Sequence, residues 1–381
     1  MYNPAGQCKI VKAEETGTEK QERKTGTKKQ ENNMKFIHIA DVHLGAKPDK
    51  EKPWAEERKN HGWQAFTQVI TRAEEEQADL LLIAGDLFHR QPLQRELKEV
   101  NYQFSRLSHT QVVLIAGNHD FITPDSYYRT FQWEENVHFL KKEVIEYVEL
   151  PMLRTRVYGL SYWHRELPEA LYENIRVEEG SFFNILLAHG GDEKHIPFRA
   201  EGFQKMGFDY VACGHIHKPV QLVENRVVMA GALQPVDCND TGTHGFFMGE
   251  LNKDRCHVEF HPLTYCEYTT MNLKVTSEIS SGALEDFVKQ KLAKAPDYMI
   301  FKVMLTGFFD GNAPLETERL EKLDRVIQVV NQCQPDYDFE RLKQQYAQQL
   351  IGKYICAMEQ LPQDEVTKLA LYYGVEALLE K

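Results

Sequence analysis

The run Leu80-Leu-Leu-Ile-Ala84 is apolar at every position, too short for a stable helix, and ends in Gly85-Asp86. Such a run is the pattern of a strand covered on both faces, as in a parallel sheet flanked by other layers. Four more runs end the same way. Lys35–Ala40 leads into Asp41-Val-His43, Val112–Ala116 into Gly117-Asn-His-Asp120, Asn184–Ala188 into His189, and Phe208–Cys213 into Gly214-His-Ile-His217. Ligands of open α/β sheets collect at the carboxyl ends of strands. A chain that repeatedly brings Asp, Asn and His to such ends is expected to build a metal site there.

Between the first three runs, Trp63, Phe66, Ile70 and Ala73, and then Leu93, Leu97, Val100, Phe104 and Leu107, recur at helical spacing. Strand and helix in alternation predict parallel pairing with right-handed crossovers. From residue 137 onward the pattern changes to short strands, at 137–140, 144–150, 156–160, 220–223, 226–230, 245–251 and 256–261. These are expected to form a second, mostly antiparallel sheet facing the first. The expected fold class is α/β, a four-layer α/β/β/α sandwich.

Beyond a boundary near 265–271, strands at 273–276 and 300–305 and helices at 280–293 and 315–330 predict a small α/β capping domain. Phe339, Leu342, Tyr346, Leu350, Tyr354 and Met358 then predict one long amphipathic helix, followed by a shorter one over 364–379. The expected division is a disordered or non-native extension over 1–33, the site-bearing domain over 34–268, the capping domain over 269–335 and a helical segment over 336–381.

Composition narrows the function classes. No apolar run approaches the roughly 18 residues of a membrane span, and the N-terminus lacks the apolar segment of a signal peptide. The seven cysteines are scattered without close pairing, the pattern of reduced thiols in the cytoplasm. A formal net charge of −12 argues against a surface that coats nucleic acid passively. DNA stays open as a substrate, because bound divalent ions reverse the local field.

Asp41, His43, Asp86, Asn118, His189, His215 and His217 exceed what one tetrahedral ion needs and suit two ions that share a carboxylate. Asp86 is the expected bridge, with Asp41, His43 and His217 on one ion and Asn118, His189 and His215 on the other. Imidazole and carboxylate without thiolate favour Mn, with Fe or Zn as the other choices. Two such ions clamp a phosphate and activate a water for in-line attack. His119, adjacent to a ligand but spare, is assigned to the leaving oxygen or the developing charge. Asp120 is expected to orient that imidazole, and His89 to reach the phosphate. The other histidines, His195 and His244 among them, lack ligand context and are expected to be structural or solvent-facing.

The ordered set Asp41-x-His43, Gly85-Asp86, Gly117-Asn-His-Asp120, His189 and Gly214-His-x-His217 resembles the calcineurin-like metallophosphoesterase superfamily. Within it, Ile39-Ala-Asp-Val-His-Leu-Gly45, Gly85-Asp-Leu-Phe-His89 and Val157-Tyr-Gly-Leu-Ser-Tyr162 are similar to the SbcD nucleases, with the YhaO-type branch nearest. The resemblance covers about 34–262 and implies a Mn-dependent DNA exonuclease and endonuclease of DNA repair. It also implies a homodimer and an SMC-like ATPase partner; the stripe from Phe339 to Met358 is read either as a docking face for that partner or as the cover of its own domain. The same core also serves phosphomonoesterases and small-molecule or cyclic-nucleotide phosphodiesterases, which would leave DNA intact.

Overall fold

The computed structural model of the chain describes Val11–Lys12 and residues 33–379, apart from residues 174, 179 and 312. The extension expected over 1–33 therefore falls, except for Val11, Lys12 and Asn33, outside the described residues. The chain divides into two compact units, Met1–Glu267 and Tyr268–Lys381.

In chain order the first unit carries β1 (Val11–Lys12), β2 (Met34–Ile39), α1 (Ala55–Glu75), β3 (Leu80–Ala84), α2 (Gln94–Ser105), β4 (Gln111–Ile115) and β5 (Val137–Phe139). It continues through β6 (Glu146–Leu150), β7 (Thr155–Gly159), β8 (Phe183–His189), α3 (Ala200–Phe203) and β9 (Tyr210–Gly214). Then follow β10 (Val220–Val223), β11 (Val227–Met229), β12 (Gly245–Leu251) and β13 (Cys256–Pro262).

One sheet has the order β13-β12-β2-β3-β4-β5, the other β1-β6-β7-β8-β9-β11-β10. Strands β2, β3 and β4 pair in parallel, with Phe36 opposite Leu80 and Leu80 opposite Gln111. Alternation along each strand sorts its apolar side chains to two faces. Ile37, Ile39, Leu81, Ile83, Val112 and Leu114 pack with Phe66, Val69 and Ile70 of α1 and Leu97, Val100 and Phe104 of α2. Their neighbours Phe36, Leu80, Leu82, Val113 and Ile115 pack with Val157, Ile185, Leu187, Tyr210 and Ala212 of the other sheet. The far face of that second sheet is covered by Leu167, Tyr172, Ile196, Phe203 and Phe208. The layers are helix, sheet, sheet and a fourth built chiefly of connecting segments around the four-residue α3. The start of helix α2 is capped by Glu96 in its first turn, whose carboxylate accepts the Leu93 N–H at 2.8 Å and so satisfies a donor that a helix start leaves unpaired.

Two expectations about the sheets are corrected. The second sheet is mostly parallel: β7–β8, β8–β9 and β9–β11 run parallel, while β6–β7 and β10–β11 are antiparallel. Its central strands are apolar runs buried along their length, which crossover connections supply in parallel. The segments expected there at 137–140, 245–251 and 256–261 belong instead to the first sheet, where β5 extends β4 and β12 covers the free edge of β2.

The second unit is built on β14 (Glu267–Val275), α4 (Ser281–Lys294), β15 (Met299–Asp310), α5 (Glu318–Glu321) and β16 (Val326–Asp336), followed by α6 (Phe339–Gln345), α7 (Leu350–Glu359) and α8 (Glu365–Leu379). Its sheet has the order β14-β15-β16, with Leu284, Val288 and Leu292 of α4 packed on Leu273, Val303 and Leu305. The helix expected over 315–330 is corrected to the short α5 and the start of β16. Arg325 breaks the chain between them in a left-handed conformation (φ 59°). The β-branched Val326, Ile327, Val329 and Val330 then suit a pleated strand better than a helix. The single long helix over 339–358 is also corrected, to α6 and α7. Gly352 makes the break feasible, because a Cβ there would collide with the Tyr346 carbonyl and the Ala347 backbone. Ile351 and Ile355 of α7 then pack against Leu371 and Val375 of α8.

Among the described residues, no helix is long and apolar enough to cross a membrane.

Candidate metal centre

The loops that leave β2, β3 and β4 meet those that leave β8 and β9. Asp41 N–H donates to the Gly85 carbonyl at 3.2 Å and His43 N–H to the Asp86 carbonyl at 3.0 Å, which laces the first two loops together. Across the sheets, the His215 N–H bonds both carboxylate oxygens of Asp41, at 3.1 and 2.8 Å. Asp41, His43, Asp86 and His215 have φ values of 47°, 49°, 50° and 100°. For residues with a Cβ, such conformations cost on the order of 1–3 kcal/mol each and persist only where the surroundings enforce them. Gly117 is demanded by contact: a Cβ there would run into the Asp86 carboxylate and the His189 ring.

The seven expected ligands come together. Nε2 of His43 and Nε2 of His217 are 3.1 Å apart. On the other side, Asn118 Oδ1 lies 2.9 Å from His189 Nε2 and 3.1 Å from His215 Nδ1. Between these groups stands Asp86, its Oδ2 3.9 Å from His43 Nε2 and 3.5 Å from His189 Nε2. Asp41 is close to both sides, clustering with His43 and His217 and also with Asp86 and His189.

The far nitrogens of three imidazoles are held. His189 Nδ1 faces the Ala84 carbonyl at 2.9 Å, His215 Nε2 faces Asp192 Oδ2 at 2.8 Å, and His217 Nδ1 faces Asp240 Oδ2 at 3.0 Å. In the neutral imidazole each contact draws the hydrogen to the far nitrogen and leaves the inward one as a lone pair, the form that binds metal. His43 Nδ1 is buried without a partner among the described residues.

Charge balance describes the same need for cations. Burial pushes Asp86 upward, but His189, His43 and His119 outweigh it and hold the carboxyl well below the usual carboxylate range. Burial lowers His189, yet the Asp86 carboxylate reverses this and carries the imidazole up to about 9. His217 likewise is lowered by burial and raised further by Asp240 and Asp41, to about 9. Burial and the neighbouring His189 take His215 down to about 4. The carboxylates thus draw positive charge onto His189 and His217. A set of inward nitrogen and oxygen donors without thiolate, split about a shared carboxylate, fits two divalent cations.

His119, His89 and His43 form a further cluster, with the rings of His89 and His119 stacked at 5.2 Å and those of His43 and His119 meeting edge-on at 4.8 Å. His119 is half-buried beside the donor groups and His89 is exposed. The expected partnership of Asp120 with the His119 ring is corrected. Asp120 accepts from Phe88 N–H at 3.1 Å, Gly117 N–H at 2.9 Å and the Tyr128 hydroxyl at 2.7 Å, tying two site loops together. Its burial, and then the Asp86 charge, raise the carboxyl to about 7. The partner of the His119 ring is the His89 carbonyl, 3.3 Å from Nδ1.

Sequence reasoning missed Asp192 and Asp240, because a carboxylate many residues from its histidine carries no local signal. His195, expected to be structural or solvent-facing, shares Asp192 with His215, its Nδ1 2.9 Å from Oδ1. Tyr172 and Tyr162 were also missed; their hydroxyls take the His189 N–H and give to its carbonyl, both at 2.9 Å.

Residues 34–219 match the family described as calcineurin-like phosphoesterase. The chain is similar to the uncharacterized metallophosphoesterase YhaO of Bacillus subtilis (strain 168), 28% identical over 298 residues that make up 72% of each protein. It is similar to the DNA double-strand break repair protein Mre11 of Aeropyrum pernix, 26% identical over 240 residues, 55% of this chain and 56% of that one. With a component of the nuclease SbcCD of Staphylococcus epidermidis it shares 22% identity over 311 residues, 71% of this chain and 79% of that one.

Proposed function

We propose that this chain, whose residues 34–219 are a calcineurin-like metallophosphoesterase domain, is a dinuclear-metal phosphodiesterase that cleaves DNA. The observation that carries the reading is the pair of donor groups on either side of Asp86, with His119 beside them rather than within them. Asp41, His43 and His217 would hold one ion and Asn118, His189 and His215 the other, with Asp86 shared. When bound, two such ions would neutralise charge on a phosphate and lower the pKa of an attacking water. Imidazole-rich, thiolate-free donors favour Mn, then Fe or Zn.

The chain's own groups do the rest. Asp86 is kept in place by the His119 backbone N–H, 2.8 Å from Oδ1. The His119 ring, steadied through Nδ1 at the His89 carbonyl, delivers a proton from Nε2 to the leaving oxygen. His89, stacked on it, meets a phosphate oxygen at the open rim.

DNA as substrate is supported by the relatives named for double-strand break repair and as part of a nuclease. The unit after residue 267, which a minimal phosphatase core does not need, supports it too. On the same reading the enzyme is an exonuclease with endonuclease action in break processing. Its partner is an SMC-like ATPase that docks over 336–381, where Leu350, Val366 and Tyr373 are exposed. The test is end-labelled linear duplex with Mn, alongside a chromogenic phosphomonoester and phosphodiester. Shortening of the duplex that a chelator abolishes supports the proposal. Turnover of the small esters with DNA left intact assigns the core to small phosphoesters instead.

A further inference from the structure

We propose that Asp240 is a positioning residue of the metal centre: it holds the His217 imidazole by Nδ1 so that Nε2 is presented to the cation shared with Asp41 and His43. The inference rests on the two-cation reading above and adds a residue that no ligand motif contains. Asp240 lies in the loop between β11 and β12, 23 positions after His217.

Its Oδ2 is 3.0 Å from His217 Nδ1 and accepts the Val236 N–H at 2.9 Å with the same atom. The side chain is 13% exposed, against 25% for His217, so the pair is largely shielded from water. Besides the Val236 N–H bond to that carboxylate, the loop has supports of its own. Buried His244 bridges it, its ring nitrogens 2.9 Å from the Ala232 carbonyl and 3.1 Å from the Asp240 carbonyl. Asn239 N–H also bonds Asp237 Oδ1 at 2.7 Å. The carboxylate is thus supported from its own backbone.

An ionised carboxylate only accepts, so the hydrogen of the neutral imidazole sits on Nδ1 and the lone pair on Nε2. That Nε2 is 3.1 Å from Nε2 of His43, where the donors of this group converge. Negative charge behind the ring also makes it a stronger donor to a metal. His43 has no partner on its own Nδ1 among the described residues. Orientation of the imidazole pair therefore falls to His217 and Asp240. The Asp192–His215 contact is a looser counterpart, because Asp192 is 44% exposed and divides its carboxylate between two histidines.

The experiment is Mn titration of the metal-free full chain, by calorimetry and equilibrium dialysis, in the parent, Asp240→Ala and Asp240→Asn. The parent is expected to bind two Mn. Asp240→Ala should keep one at parental affinity and bind the other about 10–100-fold more weakly, the usual cost of losing such a support. Asp240→Asn should fall between them, since its amide oxygen accepts both N–H bonds without the charge. One-site weakening in the Asn variant supports the assignment even where the Ala variant does not fold. Two Mn within twofold of parental affinity in both variants overturns it. So does equal loss of both ions in both variants with a fall in the metal-free melting temperature, which marks a structural role only. A parent that binds no Mn removes the two-cation reading itself, before any variant is compared.

Discussion

The backbone N–H of His119 donates to Oδ1 of Asp86 at 2.8 Å, while Oδ2 of the same carboxylate stands between His43 and His189. His119 therefore supports the Asp86 carboxylate through its main chain and leaves its ring for other work. Removing the ring should spare the metals. His119→Ala is expected to retain both ions and lose about 10²–10⁴-fold in turnover, the range for a general acid. Asp86→Ala should lose metal itself. Metal analysis of the purified variants beside their cleavage rates separates the two roles; a metal-depleted His119→Ala would count against the assignment.

Gly117→Ala tests the close packing around Asp86. The added methyl meets the Asp86 carboxylate and the His189 ring rather than the apolar core. Displacement of catalytic groups by about 1 Å costs on the order of 10²-fold. A loss of at least about tenfold in cleavage is expected, with circular dichroism unchanged. Parental activity would show that the loop has room the structure lacks.

His38 gives a pH dependence away from the metal groups. Buried beside the Tyr210 hydroxyl, 2.9 Å from its Nδ1, it is lowered by burial from 6.5 to about 3. Below pH ~6.5 the unfolded chain takes up a proton there that the folded chain refuses until about pH 3. Its contribution is therefore complete above ~6.5 and declines by up to about 1.4 kcal/mol per pH unit as pH falls. His38→Gln should flatten the fall in melting temperature between pH 6.5 and 5. Identical slopes in the two proteins would contradict this.

Leu82 lies fully buried between the sheets among Phe36, Ile185 and Tyr210. Leu82→Ala leaves a cavity that the facing strands cannot close, and should cost about 2–5 kcal/mol in urea unfolding. A loss below about 1 kcal/mol would mean that the sheets do not meet there.

What could be read in advance follows from how local each signal is. The strands ending at Asp41, Asp86, Asn118, His189 and His215 were legible because an apolar run and the polar residue after it are neighbours in sequence. Sheet membership is decided by distant partners, so β12 and β13 were assigned to the wrong sheet. Arg325 and Tyr346 break helical patterns through backbone conformation and contacts that side-chain periodicity does not record. Asp120 stood beside the right histidine in sequence, but its backbone turned the carboxylate toward Phe88, Gly117 and Tyr128. Asp192 and Asp240 become visible only when the strand ends meet.

The central claim, two cations about one carboxylate, is tested most directly by anomalous diffraction from crystals of the Mn-loaded chain. Two peaks are expected, one against Asp41, His43 and His217 and one against Asn118, His189 and His215, with Asp86 between them. A single peak, or Mn bound away from Asp86, would contradict the account.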